Sequence, residues 1–402
     1  GGGGGHDGGG TTGDGGGGGD DGGTGGDDGS SPEGSVTIDA GAPGDAVKLY
    51  YCLGGVYSAE TTVGSQKFEL NIDTGSGDLG VASATCSNCG VTPEYTPGST
   101  ATDEKGTVNA AYGSGSWTGE IYQDDVGLGS ETAFPLKFGA MTSQNQFLQP
   151  QFTVCNSPNG SMQGILGMGP NGATDQGVAE YFGGLVSSQK VPNVFAAELC
   201  DSGGTLWLGG VGDSSLMTAA PQYTPMTSGF SNYYYAVTLS TVQIDGKTTQ
   251  ITSGQNTATV VDTGTSTFLL TSTAYTGIVN SITGSAGFKG LGASAASLFP
   301  SAANSGQISC ANLAKTAEQL DAVLPPMIFT FGANPSVTVT APASQSYLFP
   351  LQGEWCSGLS GVAANQIAPL ASIFGSPMHR SSIIIYDRAG ARIGFAPHKP
   401  CL

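Results

Sequence analysis

The sequence predicts a mostly β protein of two related lobes with a few short helices. Three observations carry that expectation: β-branched and aromatic runs bounded by turn residues, a Gly- and Pro-rich composition poor in charge, and a strand-and-acid-turn plan that occurs twice. The runs are clearest in "YYYAVTLSTVQI" (233–244) and "PPMIFTFG" (325–332), each flanked by Gly, Pro, Asn or Ser as strands are. The composition, 67 Gly and 21 Pro in 402 residues with only 11% charged, supplies many turns and little exposed helix. A chain of this length is enough for two ordinary lobes, each with its own core. Helical spacing is confined to 178–190, 271–283 and 311–324, the last having the most regular apolar pattern.

Residues 1–34 stand apart. They are nearly all Gly and Asp with some Thr and Ser, and contain no Lys or Arg. Such a stretch has nothing to bury and is expected to be a disordered tail. The chain begins without Met, so a signal peptide is expected either to have been removed or to lie outside this sequence. No apolar run approaches membrane-spanning length.

Thirty-one acids against 12 Lys and Arg give a formal net charge of −19. A surface of that sign repels phosphate backbones, which argues against nucleic acid as a partner. The sequence pI near 4.2 places the relief of this self-repulsion in mild acid.

The eight cysteines, 52, 86, 89, 155, 200, 310, 356 and 401, are even in number and scattered, as in a disulfide-bonded chain of an oxidising compartment. Cys86-Ser-Asn-Cys89 is a lone CxxC with no second pair. The only histidines are His6, His379 and His398, too few and too dispersed for a metal site. One glycosylation sequon, Asn159-Gly160-Ser161, fits a secreted chain.

The duplicated plan carries the chemistry. "NIDTGSGDLG" (71–80) ends an apolar run on Asp73 at the head of a Gly turn, and "ATVVDTGTSTFLL" (258–270) repeats the device at Asp262. Each is followed later by two apolar residues and Gly, in "GILGMG" (164–169) and "SIFGSP" (372–377). Turn propensity alone explains one such segment. Two in the same order suggest copies related by an approximate two-fold axis, which brings the acids face to face. Two carboxylates at close range cannot both ionise easily, so they hold one proton jointly and need neither metal nor cofactor to activate a water.

With "DTGS" at 73–76, "DTGT" at 262–265, "YGSGSWTG" at 112–119, "GILGMG", "SIFG" and "IIIYDRAGARIGFAP" at 383–397, all in family order, the chain resembles the pepsin-like aspartic proteases over roughly residues 48–402. The resemblance implies their bilobal acid-protease fold, with an N-terminal lobe over 48–220 and a C-terminal lobe over 221–402. It implies that Asp73 and Asp262 are the catalytic pair. Thr74 and Thr263 then cross-link the two turns, Ser76 and Thr265 bond the outer carboxylate oxygens, and Gly75 and Gly264 permit close backbone approach.

The segment 108–129 reads as two strands around a Gly-rich tip. By the same resemblance it is a flap that closes over a peptide, with Tyr112 at its base and the backbone of Gly113 and Ser114 facing an extended substrate. Tyr234 and Ser266 are expected to line the cleft. Ile165-Leu166-Gly167 and Ile373-Phe374-Gly375 are expected to underlie the two turns.

One position departs from the family. Many relatives carry Trp where this chain has Gly80, and that Trp bonds the flap tyrosine. Trp117 is the expected substitute, an arrangement similar to that of β-secretase-like members. The resemblance also pairs Cys310 with Cys356 and Cys200 with Cys401, leaving the other four cysteines three possible pairings.

The expected protein is therefore an aspartic endopeptidase acting as a monomer on extended peptide substrates under acidic conditions, secreted or held in an acidic secretory or vacuolar compartment. Two other readings were weighed: a catalytically silent relative that binds or inhibits proteins, which loss of either Asp would signal, and a Gly-rich structural β protein, which the ordered motifs contradict. The charge balance makes a measurable statement. Melting temperature, followed across pH, is expected to be higher in mild acid than above neutrality; a rise past neutrality would refute it.

Overall fold

Side-chain alternation, apolar in and polar out, sets most of the architecture. A computed structural model of the chain describes residues 41–113, 115–149, 153–175, 177–252, 254–301, 308–332, 336–399 and 401. The sequence expectation for 1–34 lies outside the described residues. Among the described residues the protein is mostly β, in sheets of 13, eight and three strands.

The active-site strands are built alike. Gln66–Asp73 runs parallel to Gly164–Gly167, with Asp73 opposite Gly167, and Gly164–Gly167 pairs antiparallel with Leu79–Ala82. In the second half Ala258–Val261 runs parallel to Leu370–Phe374, which pairs antiparallel with Phe268–Thr271. The GILG and SIF segments are thus the parallel partners of the two strands that deliver the acids. Their small residues matter, since a Cβ on Gly167 would lie 2.5 Å from Asp78 N. Both central strand groups are buried on both faces and read as continuous apolar runs, as parallel pairs do.

The flap sequence forms the long hairpin Thr102–Tyr112 and Gly115–Leu128, whose second strand pairs with Phe134–Asn145. The hairpin Ser382–Asp387 and Arg392–Pro397 extends the 13-stranded sheet by pairing with Val194–Cys200, so the end of the chain completes a sheet begun by its first half.

Two of the three expected helices form, at Tyr181–Gln189 and Ser272–Gly284, capped by Glu180 and Thr271. The third shrinks to Ala317–Asp321. Its apolar spacing was real, but Cys310 and Ala311 are drawn into a strand against Cys356 and Trp355, and the helix waits for the Thr316–Gln319 capping box.

Four disulfides close the chain: Cys52–Cys155, Cys86–Cys89, Cys200–Cys401 and Cys310–Cys356. The two pairings the resemblance implied are present, and the folded chain selects among the three that remained open. No described helix is long and apolar enough to cross a membrane.

Candidate active site

Each acid turn satisfies its own carboxylate. Asp73 Oδ1 accepts the Gly75 N–H at 2.8 Å and Oδ2 accepts the Ser76 hydroxyl at 2.5 Å. Asp262 repeats the pattern with Gly264 N–H at 2.8 Å and the Thr265 hydroxyl at 2.5 Å. These are Asp turn contacts of the ordinary kind, here serving carboxylates only 6% and 7% exposed.

The two turns grip one another with near two-fold symmetry. Thr74 N–H donates to Thr263 Oγ1 at 3.2 Å and Thr263 N–H to Thr74 Oγ1 at 3.0 Å. The hydroxyls in turn donate across the pair, Thr74 to Val261 O at 3.0 Å and Thr263 to Ile72 O at 2.6 Å. A Cβ on Gly75 would lie 2.7 Å from Asp262 Cγ, and one on Gly264 would overlap Asp73 Oδ1. Glycine is therefore required where each backbone meets the opposite carboxyl. Both carboxyls border the Gly264 Cα; burial first, then the Asp73 charge, pushes Asp262 well above the usual carboxylate range.

Beneath the grip lies a chain that the sequence did not single out. His379, fully buried, meets Gly375 O through Nδ1 at 2.8 Å and Tyr386 Oη through Nε2 at 3.3 Å. Tyr386 Oη lies 3.4 Å from Thr74 Oγ1. The carbonyl at Nδ1 fixes the tautomer with its proton there, leaving Nε2 to accept.

Tyr112 stacks on Phe147, ring centroids 5.2 Å apart at 25°. Its phenol is pushed well above the usual range by burial and then by the Asp78 and Asp73 carboxylates. Trp117 occupies the space that Gly80 leaves. A Cβ on Gly80 would lie 2.6 Å from Trp117 Cζ2, and one on Gly139 would lie 2.5 Å from Cζ3. The indole N–H is near enough to favour the ionised phenol of Tyr112, yet neither Trp117 Nε1 nor Tyr112 Oη completes a hydrogen bond of acceptable geometry. The two are juxtaposed rather than bonded.

Gly113 is exposed with open space around its Cα, and Ser114 lies outside the described residues. Ser266 packs against Gly55, while Tyr234 is half-buried against Ala236, Ala258, Val260 and Leu370, its N–H donating to Phe230 O at 2.8 Å. Phe147, Asp78 and His379 are the residues that sequence reasoning missed. Only Asp78 had a visible signal, as a further acid within "GSGDLG". For metal-type donors, Glu198, His398 and Cys401 come together, but Cys401 Sγ is already bonded to Cys200.

Asp78 is 3% exposed and accepts the Asp175 N–H at 2.7 Å. Burial, then the Asp175 and Asp73 carboxylates, raises it to about 7. A carboxyl so raised stabilises the fold in full below its unfolded value of 3.8 and loses that contribution as pH rises toward about 7. Asp262 acts in the same direction. His379 opposes them, because burial lowers it from 6.5 to about 4, and its contribution is lost as pH falls through that interval.

A eukaryotic aspartyl protease family model matches residues 56–398. The chain belongs to that family, and its sheets have the family's bilobal pepsin-like fold. It is similar to pepsin A of Sus scrofa, 27% identical over 342 residues, covering 83% of this chain and 78% of that protein. It is similar to rhizopuspepsin-4 of Rhizopus niveus, 26% identical over 85% of this chain and 77% of that one. An aspartic protease of Phaffia rhodozyma is 32% identical over 214 residues, 52% of this chain and about half (49%) of that protein's length.

Two outcomes follow from this geometry. Thermal stability should be highest near pH 4 and decline as pH rises toward about 7, two raised carboxyls outweighing the one lowered imidazole, with Asp78→Asn flattening that decline; an unchanged decline in that variant would refute the assignment. Gly80→Ala, which drives a methyl into the indole, should destabilise by about 1–3 kcal/mol.

Proposed function

We propose that the protein is an aspartic endopeptidase that hydrolyses peptide bonds in proteins under acidic conditions. The single observation carrying this reading is that Asp73 and Asp262 sit on turns cross-linked through Thr74 and Thr263, each turn's glycine lying against the opposite carboxyl. Shared protonation is an established property of such carboxyl pairs.

With one proton on the pair, the ionised carboxylate takes a proton from a water held between the two acids while the water oxygen attacks the scissile carbonyl carbon. The protonated carboxyl delivers its hydrogen to the carbonyl oxygen. The resulting diol collapses as the carboxyl now holding the water's proton gives it to the leaving nitrogen and the other reclaims a hydroxyl proton. The C–N bond breaks, an acid and an amine leave, and the pair again holds one proton. The two carboxyls act as a unit, so neither is the permanent acid.

Gly75 and Gly264 keep room for the attacked carbonyl, and the Ser76 and Thr265 hydroxyls hold the outer oxygens so that the inner ones face the water. An extended peptide lies between the lobes, 48–220 and 221–402, beneath the Tyr112 hairpin, whose tip at Gly113 offers backbone groups to it. Four disulfides support a secreted or acidic secretory setting for a chain acting as a monomer.

Digestion of a denatured protein at pH about 4 should be blocked by a statine-type inhibitor, acidic conditions being those in which the pair retains one proton. Asp73→Asn and Asp262→Asn should each reduce the rate by about 10²–10⁴-fold or more. Cleavage that persists in both variants would refute the reading.

A further inference from the structure

The Tyr112–Phe147 wall is held from outside by a device that the proposed chemistry does not use. Phe147 follows a tight turn in which Gln146 adopts φ 56°, a left-handed conformation unfavourable for a residue with a side chain. Something must hold that turn. Gln144 does so, its Oε1 accepting the Phe147 N–H at 2.8 Å and the Leu148 N–H at 3.2 Å.

Gln144 is itself fastened to Asn88 by three bonds. Asn88 Nδ2 donates to Gln144 O at 2.7 Å, Gln144 N–H donates to Asn88 Oδ1 at 2.9 Å, and Gln144 Nε2 donates to Asn88 O at 3.0 Å. Such partly exposed bonds are worth little if both partners must first be ordered. Here Asn88 is ordered in advance, because it sits inside the loop closed by Cys86–Cys89. Cys89 is buried in the same apolar cluster as Trp117, Leu148 and Val108, with Cys86, Tyr112 and Phe147 at its margin.

The turn bears directly on the flap. A Cβ on Gly115 would lie 2.7 Å from Asn145 O, Gln146 C and Phe147 N, so the flap backbone rests against it. Gln144 is also the cross-strand partner of Trp117. We propose that the Cys86–Cys89 loop, through the Asn88–Gln144 clamp, positions the Phe147 turn against Tyr112 and Gly115, and so sets how well the site receives a bulky apolar side chain of the substrate. This rests on the protease reading for its substrate, and on hydrogen bonds alone for its geometry. Asn88 and Gln144 are positioning residues, acting through Phe147.

The test uses the full chain and two peptides that differ only in Phe or Ala beside the cleaved bond. KM and kcat are measured in the native background, and binding by calorimetry in an Asp73→Asn background. Amide exchange follows Phe147 and Leu148. Asn88→Ala and Gln144→Ala should each weaken the Phe peptide roughly tenfold in KM and Kd, the scale on which an apolar pocket discriminates, and leave kcat and the Ala peptide nearly unchanged. Gln144→Ala should also speed exchange of the two amides. Gln144→Glu, which keeps the acceptor for them, should restore much of the contrast.

Equal weakening of both peptides, or faster exchange with the contrast intact, would overturn the proposal. Absence of cleavage with the binding contrast present would sink the protease reading and leave the clamp standing. Loss of the contrast in the wild type, with cleavage intact, would sink the clamp alone.

Discussion

The reciprocal bonds between Thr74 and Thr263 are the constraint on which the site depends. Residues 73 and 262 are far apart in the chain, and their carboxyls repel when both are charged, so neither sequence proximity nor electrostatics brings them together. Four hydrogen bonds, two donated by backbone N–H groups and two by hydroxyls, tie one turn to the other and close this gap. Each threonine acts as donor and acceptor at once, which a Val of the same shape cannot do.

Holding two carboxyls together out of water is costly, and the surrounding residues show how the cost is met. Every carboxyl oxygen of the pair has a donor, from Gly75, Ser76, Gly264 or Thr265. Burial and the Asp73 charge both disfavour a second charge on Asp262. Asp78, close by, is likewise held neutral over much of the acidic range. A chain with 31 acids thus concentrates its repulsion on the surface and keeps its interior carboxyls protonated or bonded. His379 sets the opposing limit, because the neutral imidazole accepts from Tyr386 beneath Thr74.

Trp117 and Gly80 illustrate how a large ring on one strand is matched by an absent side chain on another. The indole reaches across the hairpin into space made by two glycines, Gly80 and Gly139, each of which would collide with it if substituted. The exchange is a packing solution: a large ring on the flap strand requires absent side chains on the strands below. It also makes the flap part of a small apolar cluster of its own, bounded by the Cys86–Cys89 loop and separate from the main core.

The amino-acid sequence by itself determined the local devices. Asp-Thr-Gly turns, apolar strand runs, the Gly-rich hairpin and the even cysteine count are each written in a few adjacent residues, and their order carried the family resemblance. The short helix at 317–321 shows the limit, since helical spacing in 311–324 lost to a strand and a disulfide formed with residues some 46 positions away. Phe147 and His379 were illegible for the same reason: one is an ordinary aromatic and the other a lone histidine until the fold sets them against Tyr112 and Tyr386. Only the tertiary structure decided the pairing of Cys52 with Cys155, the seating of Trp117 over Gly80 and the meeting of the acids, because each depends on contacts between segments distant in the chain, and local propensity carries no record of distance in space.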